Sequence, residues 1–150
     1  MEESLRWNEN LTNSMWGHLQ LGDIDPKTMS PLVLAYIGDS IYDLVIRTLV
    51  ISHGNMQVNK INKHACGLVK AETQSKLIGF IEPLLAPNEE AVYKRGRNAK
   101  SYTSAKNASI ADYRRATGFE ALMGYLYLNG EYNRMMELIT EGLKQIGEIK

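Results

Sequence analysis

With a single cysteine, Cys66, the chain cannot form an intramolecular disulfide or a cysteine-rich zinc site, which fits a reducing compartment. Cys66 itself reads as structural. The three histidines, His18, His53 and His64, lack metal-ligand spacing and are left with surface or capping roles. No glycine-rich or Walker-type phosphate loop occurs, so nucleotide-dependent chemistry has no support. No run reaches the roughly 20 apolar residues that cross a bilayer, and Glu2, Glu3, Arg6 and Glu9 match neither a secretory signal nor a transit peptide. A cytoplasmic protein with no membrane partner is expected. Repeats, low-complexity tracts and strand patterns are also missing.

What is present is an ordinary globular composition, 44% hydrophobic and 23% charged over 150 residues, enough for one domain with a substantial core. Net charge is zero, yet charge is unevenly placed. Lys94, Arg95, Arg97, Lys100, Lys106, Arg114 and Arg115 face one acid, Asp112, between positions 94 and 115, so the remainder of the chain is correspondingly acidic. A local positive surface can bind phosphates while the whole molecule stays neutral.

Helical punctuation divides the chain. An amphipathic piece is expected near Leu5 to Leu19, then a turn through Gly22 to Pro26. Ser30-Pro31 reads as a helix start, followed by an apolar run from Leu32 to about Ile51 that reads as a buried central helix. A second helical region spans Val58 to about Ile81, and Asn88 with Glu89 and Glu90 caps a short helix ending near Gly96. Residues 98–109 read as a loop. A helix from about Ile110 to Leu128 ends at Asn129-Gly130, and a last amphipathic helix runs from Glu131 to about Ile146. Met135-Met136, Tyr125 and Tyr127 read as core or packing residues. The fold class is all-α.

Two carboxylates stand isolated in apolar helix: Asp39 within Ile37-Gly38-Asp39-Ser40-Ile41, and Glu120 within Phe119-Glu120-Ala121-Leu122-Met123-Gly124. Helical spacing places Leu32, Ala35, Tyr36, Asp39, Asp43, Ile46 and Val50 on one stripe, and Tyr113, Ala116, Thr117, Glu120, Gly124 and Tyr127 on another. An ionised carboxylate in a low-dielectric setting is costly unless it is paired or ligates a metal. Two readings follow. Facing stripes would let Asp39 and Glu120 hold Mg²⁺, which takes oxygen ligands and is commonly held by one or two carboxylates plus substrate phosphate. Alternatively, each acid forms a buried ion pair with Arg47, Arg114 or Arg115.

Those two motifs resemble the signature sequences of the ribonuclease III endonuclease domain. More specifically, Leu34-Ala35-Tyr36-Ile37-Gly38-Asp39, Lys94-Arg95-Gly96-Arg97-Asn98-Ala99-Lys100 and the stretch from Tyr113 to Leu128 resemble the Mini-ribonuclease III family, over roughly residues 28 to 146. The resemblance implies a ribonuclease III endonuclease-domain-like helical bundle over 28–150, preceded by an extension over 1–27. It implies a homodimer that cleaves double-stranded RNA with Mg²⁺ and has no appended RNA-binding domain. It also implies maturation of large-subunit ribosomal RNA precursor, with a ribosomal protein as a candidate partner. Where the wider ribonuclease III pattern has two further acids, this sequence has Ala35 and Thr117, which favours one well-held ion over two. Asp43 could accept a hydrogen bond from metal-bound water or orient Arg47, and Thr117 is the other candidate for such an outer contact.

Without an appended domain, the catalytic domain must grip the duplex itself. Duplex RNA is read through shape, phosphates and 2′-hydroxyls, which suits Arg95, Arg97, Asn98, Lys100, Lys106, Arg114 and Arg115, with hydroxyls from Ser101, Tyr102, Thr103 and Ser104. A non-catalytic helical RNA binder in ribosome assembly is the alternative that Ala35 and Thr117 keep open. A phosphohydrolase for small nucleotides is disfavoured by the absence of clustered histidines. Arg95→Ala or Arg97→Ala is expected to weaken RNA binding and flatten its salt dependence; a salt slope equal to wild type would remove these residues from the interface.

Overall fold

Helix boundaries follow local capping chemistry in the computed structural model, which describes residues 10–100 and 109–150. Among these residues there are seven α-helices and no strand: α1 (Leu11–Leu19), α2 (Pro31–Ser52), α3 (Val58–Val69), α4 (Ala71–Ile81), α5 (Pro87–Asn98), α6 (Ile110–Leu128) and α7 (Tyr132–Gln145). Ser30 caps α2 by accepting from the Val33 amide at 3.2 Å, with Pro31 in the first turn. Ser109 does the same for α6 through the Asp112 amide at 3.0 Å, and Gly130, at φ +73, turns the chain after Leu128.

The start of α5 departs from expectation. Asn88 is not its cap: the helix begins at Pro87, and the Glu89 carboxylate reaches back to accept from the Ala86 amide at 2.8 Å. The helix also runs on to Asn98.

The region expected as one helix from Val58 to Ile81 is two. Lys70 is extended, at φ −65 and ψ 154, and α4 turns away from α3 there. Neither Gly nor Pro marks this break. It is held by side chains that satisfy the three carbonyls at the end of α3. The Thr73 hydroxyl donates to Gly67 O at 2.6 Å, the Tyr42 hydroxyl to Leu68 O at 2.8 Å, and the Gln74 amide to Val69 O at 2.7 Å.

α6 is the centre of the bundle, with α2, α5 and α4 packed around it and α7 closing the far side of α4. From Ala116 to Tyr127 every residue except Glu120 is buried. Tyr42 and Phe119 meet edge to face at 5.1 Å between centroids, joining α2 to α6 in the core. Outside it, Thr12 of α1 is hydrogen-bonded to Tyr127.

Bare backbone lets these helices approach. A Cβ added to Gly38 would lie 1.7 Å from the Glu120 carbonyl oxygen, and one added to Gly124 would lie 2.0 Å from that of Leu34. On the opposite side of α6, a Cβ on Gly96 of α5 would meet Ala121 at 2.7 Å.

Three further expectations are corrected. α2 is not buried all round: Val33, Leu44 and Ile51 are exposed, and Tyr36 is 81% exposed. These four positions repeat at helical spacing and form one apolar stripe facing away from α6. Cys66 is exposed rather than part of the core, and Met136 is exposed beside buried Met135.

Gly38→Ala is expected to force α2 and α6 apart and to destabilise the protein by about 2 kcal/mol or more, the upper range of over-packing costs. Gly67→Ala, whose Cβ meets nothing within 4 Å on α3, should be neutral or stabilising. Urea unfolding of the two variants reads the difference directly; equal midpoints would refute the close-approach argument.

Candidate active site

The contact that Gly38 and Gly124 permit sets the position of both sequence-predicted carboxylates. Asp39 follows Gly38 on α2, and the backbone of Glu120 lies against Gly38 from α6. The two carboxyl groups meet through a hydrogen bond between their side chains. The stripes therefore face each other, the condition for one of the two readings of these acids, but the depth differs from that of a buried pair. Asp39 is exposed and Glu120 half-buried, so the pair opens to solvent rather than lying in the core.

Burial above all, then the hydrogen bond and charge of Asp39, push the Glu120 carboxyl up to about 8, against an opposing hydrogen bond from Gln74. At neutral pH Glu120 therefore tends to keep its proton. A cation placed between the two carboxyl groups would replace that proton and relieve the repulsion.

The ion-pair alternative fails among the described residues. Arg47 pairs with Asp43 at 3.0 Å, one turn apart on α2, and no salt bridge reaches Asp39 or Glu120. Arg115 instead lies along α4, where a Cβ on Gly79 would come within 2.8 Å of its guanidinium; Arg114 is exposed. Thr117 faces inward and donates its hydroxyl to Tyr113 O at 3.0 Å, so it is not turned to the carboxylates. Ala35 is buried.

The donor set suits a hard divalent ion that keeps most of its water. Two carboxylates converge, and among the described residues no group of three or more His, Cys, Asp or Glu side chains does. Among the described residues there is no closed all-protein cage, and the pair is open to solvent on the Asp39 side.

The basic residues divide by position. Arg95 and Arg97 lie in the last turn of α5, where cations are favoured by the helix dipole. Arg95 donates to Met29 O at 3.4 Å, while Arg97 sits 5.6 Å from the Tyr93 ring centroid and donates to Asn98 Oδ1 at 3.2 Å. Asn98 and Lys100 are exposed. Lys106 and the hydroxyls of Ser101, Tyr102, Thr103 and Ser104 lie outside the described residues.

The burial of two polar residues was not legible in the sequence. Glu89 is 3% exposed and bound twice by the Arg134 guanidinium, both contacts at 2.9 Å, which holds its carboxyl below the usual range. Gln74 is 2% exposed and is hydrogen-bonded to Glu120. A glutamine flanked by apolar positions at helical spacing was the available signal for the second.

Comparison with known proteins identifies the family of this fold. The Ribonuclease III domain matches residues 32–131. Mini-ribonuclease 3 of Clostridium tetani is 54% identical over 77% of each chain, and that of Thermoanaerobacter sp. is 41% identical over 92% of this chain and all of its own. Mini-ribonuclease 3 of Enterococcus faecalis is 45% identical over 83% of this chain and 96% of its own. A crystal structure of a Fusobacterium nucleatum protein superposes with a TM-score of 0.73 at 28% identity, over 81% of this chain and 97% of that one. With the domain matched across two carboxylate-bearing helices and these relatives aligned over most of their length, the chain belongs to the Mini-ribonuclease 3 family.

Proposed function

We propose that this chain hydrolyses double-stranded RNA with Mg²⁺ held by Asp39 and Glu120. The endoribonuclease class follows from the family, whose members are metal-dependent. The identity of the ion and the two ligands is our reading. One observation carries it: the two carboxylates converge without a cationic partner, at the one position where the buried stretch of α6 reaches solvent. An unneutralised acidic pair is poorly explained as a stability device and well explained as a ligand pair.

Mg²⁺ there would polarise the scissile phosphate and supply a water of lowered pKa. Asp39 holds the exposed side of the site and Glu120 the inner side. Asp43, occupied by Arg47, keeps that cation beside the site rather than on the ligands. Arg95, Arg97, Asn98, Lys100, Lys106, Arg114 and Arg115 are proposed to grip the phosphates of the duplex, as positions 94–115 carry the chain's excess positive charge. The domain itself is taken as 28–150, with 1–27 as an extension.

The exposed apolar stripe of α2 supports a homodimer. Val33, Tyr36, Leu44 and Ile51 present apolar surface on one side of α2, interrupted by Ser40 and Arg47, that a second copy would bury, and two sites across one duplex would each cut one strand. Large-subunit ribosomal RNA precursor is the proposed substrate, in the cytoplasm, with a ribosomal protein as a candidate partner. Discrete cleavage of such a precursor transcript is the measurement that bears on it.

Incubation of a long double-stranded RNA with the protein and Mg²⁺ is expected to give cuts that vanish with EDTA and in Asp39→Asn, while RNA binding by Asp39→Asn stays near wild type. Intact but bound RNA under every condition would return the reading to a non-catalytic binder. Sedimentation equilibrium is expected to give twice the 16.9 kDa of the chain, with Leu44→Asp shifting it to monomer. A wild-type monomer at micromolar concentration would remove the stripe from any dimer contact.

A further inference from the structure

Gln74 stands out as a buried polar residue whose role in the helix break uses only the nitrogen of its amide. It is 2% exposed on α4, wedged between the end of α3 and the middle of α6. Its Nε2 donates to Val69 O at 2.7 Å, and its side chain lies close enough to the Glu120 carboxyl to lower that group's proton affinity. Its Oε1 is sealed from solvent with no hydrogen-bond partner, alone in this among buried side-chain oxygens and nitrogens of the described residues.

A buried acceptor without a donor destabilises the fold, whereas leucine or methionine would fill the same space with no orphaned atom. The amide cannot rotate without giving up the bond from Nε2 and turning Oε1 toward the Val69 carbonyl, where two acceptors would face each other. The contact with Val69 serves the helix break; the one with Glu120 does not. The register of α4 on α6 keeps it there: Gln74 lies opposite Glu120, and five residues along, bare Gly79 lies opposite Arg115.

We propose that Gln74 is a positioning residue, which holds the Glu120 carboxylate from the buried side so that its free oxygens are turned toward Asp39 and the cation between them. The inference rests on the metal-site reading above and names the residue that fixes one of its ligands. Partners that orient metal ligands typically contribute 10–100-fold in metal affinity or activity.

Mn²⁺ binding by the RNA-free protein, followed by calorimetry, tests it. Gln74→Leu is expected to bind Mn²⁺ at least 10-fold more weakly and to raise the Mg²⁺ concentration for half-maximal cleavage by a similar factor. Its RNA affinity in EDTA should equal wild type. Gln74→Met, unbranched and of similar length, is measured beside it as a second folded variant. Thr73→Val removes the neighbouring cap of the same helix break without touching Glu120, and should leave Mn²⁺ affinity unchanged. Wild-type affinity in both Gln74 variants would overturn the proposal, as would an equal loss in Thr73→Val, which would locate the effect in the break. A Glu120→Gln variant that binds Mn²⁺ as well as wild type would overturn the metal-site reading itself and the proposal with it.

Discussion

The contact between the backbones of α2 and α6, made where Gly38 and Gly124 have no side chain, is the constraint on which the rest depends. Two acids do not attract one another, and nothing in the charges of Asp39 and Glu120 would bring them together. They meet because each is attached beside a point where two helices already touch. The work is done by the buried faces of those helices, Tyr42 against Phe119 foremost, and by the packing of α5 and α4 on the other sides of α6. With nearly every residue from Ala116 to Tyr127 buried, the backbone that carries Glu120 is fixed against α2. A site held in this way is organised before its ligand arrives.

Two half-hidden glutamates show how environment assigns roles. Glu89 is more deeply buried than Glu120, yet a bidentate guanidinium and the Ala86 amide satisfy it, and its proton affinity falls. It braces the start of α5 against α7. Glu120 receives no cation, faces another acid, and its proton affinity rises. The first arrangement closes a network, while the second leaves a carboxyl that must either hold a proton or face a bound cation. Local rules of stability are broken at the site and kept elsewhere, the pattern expected where function opposes stability.

Much of this was legible from residue order. Ser30-Pro31 and Asn129-Gly130 mark helix ends by chemistry that acts within four residues, so both survive in the fold. The two acidic motifs were visible because a lone charge in an apolar run is conspicuous. The break at Lys70 was not, since its support comes from Tyr42, 26 residues from Leu68 in sequence, and from Thr73 and Gln74 folding back on carbonyls. The depth of Asp39 was misread for a related reason: apolar periodicity reports that a face is covered, not by what. Glu89 looked like a first-turn acid because its partner, Arg134, is 45 residues away.

The face of α2 that misled the reading has a geometric bearing on the site. At 100° per residue, Asp39 falls between the buried face that meets α6 and the stripe of Val33, Tyr36, Leu44 and Ile51. Tyr36, the most exposed of these, is less than one turn before Asp39. Any surface seated on the stripe would border the carboxylate pair and narrow its access to one side. That side is the one a phosphate backbone must use. Assembly and catalysis would then share one helix, its inner face fixing Glu120 opposite Asp39, its outer face setting what can approach them.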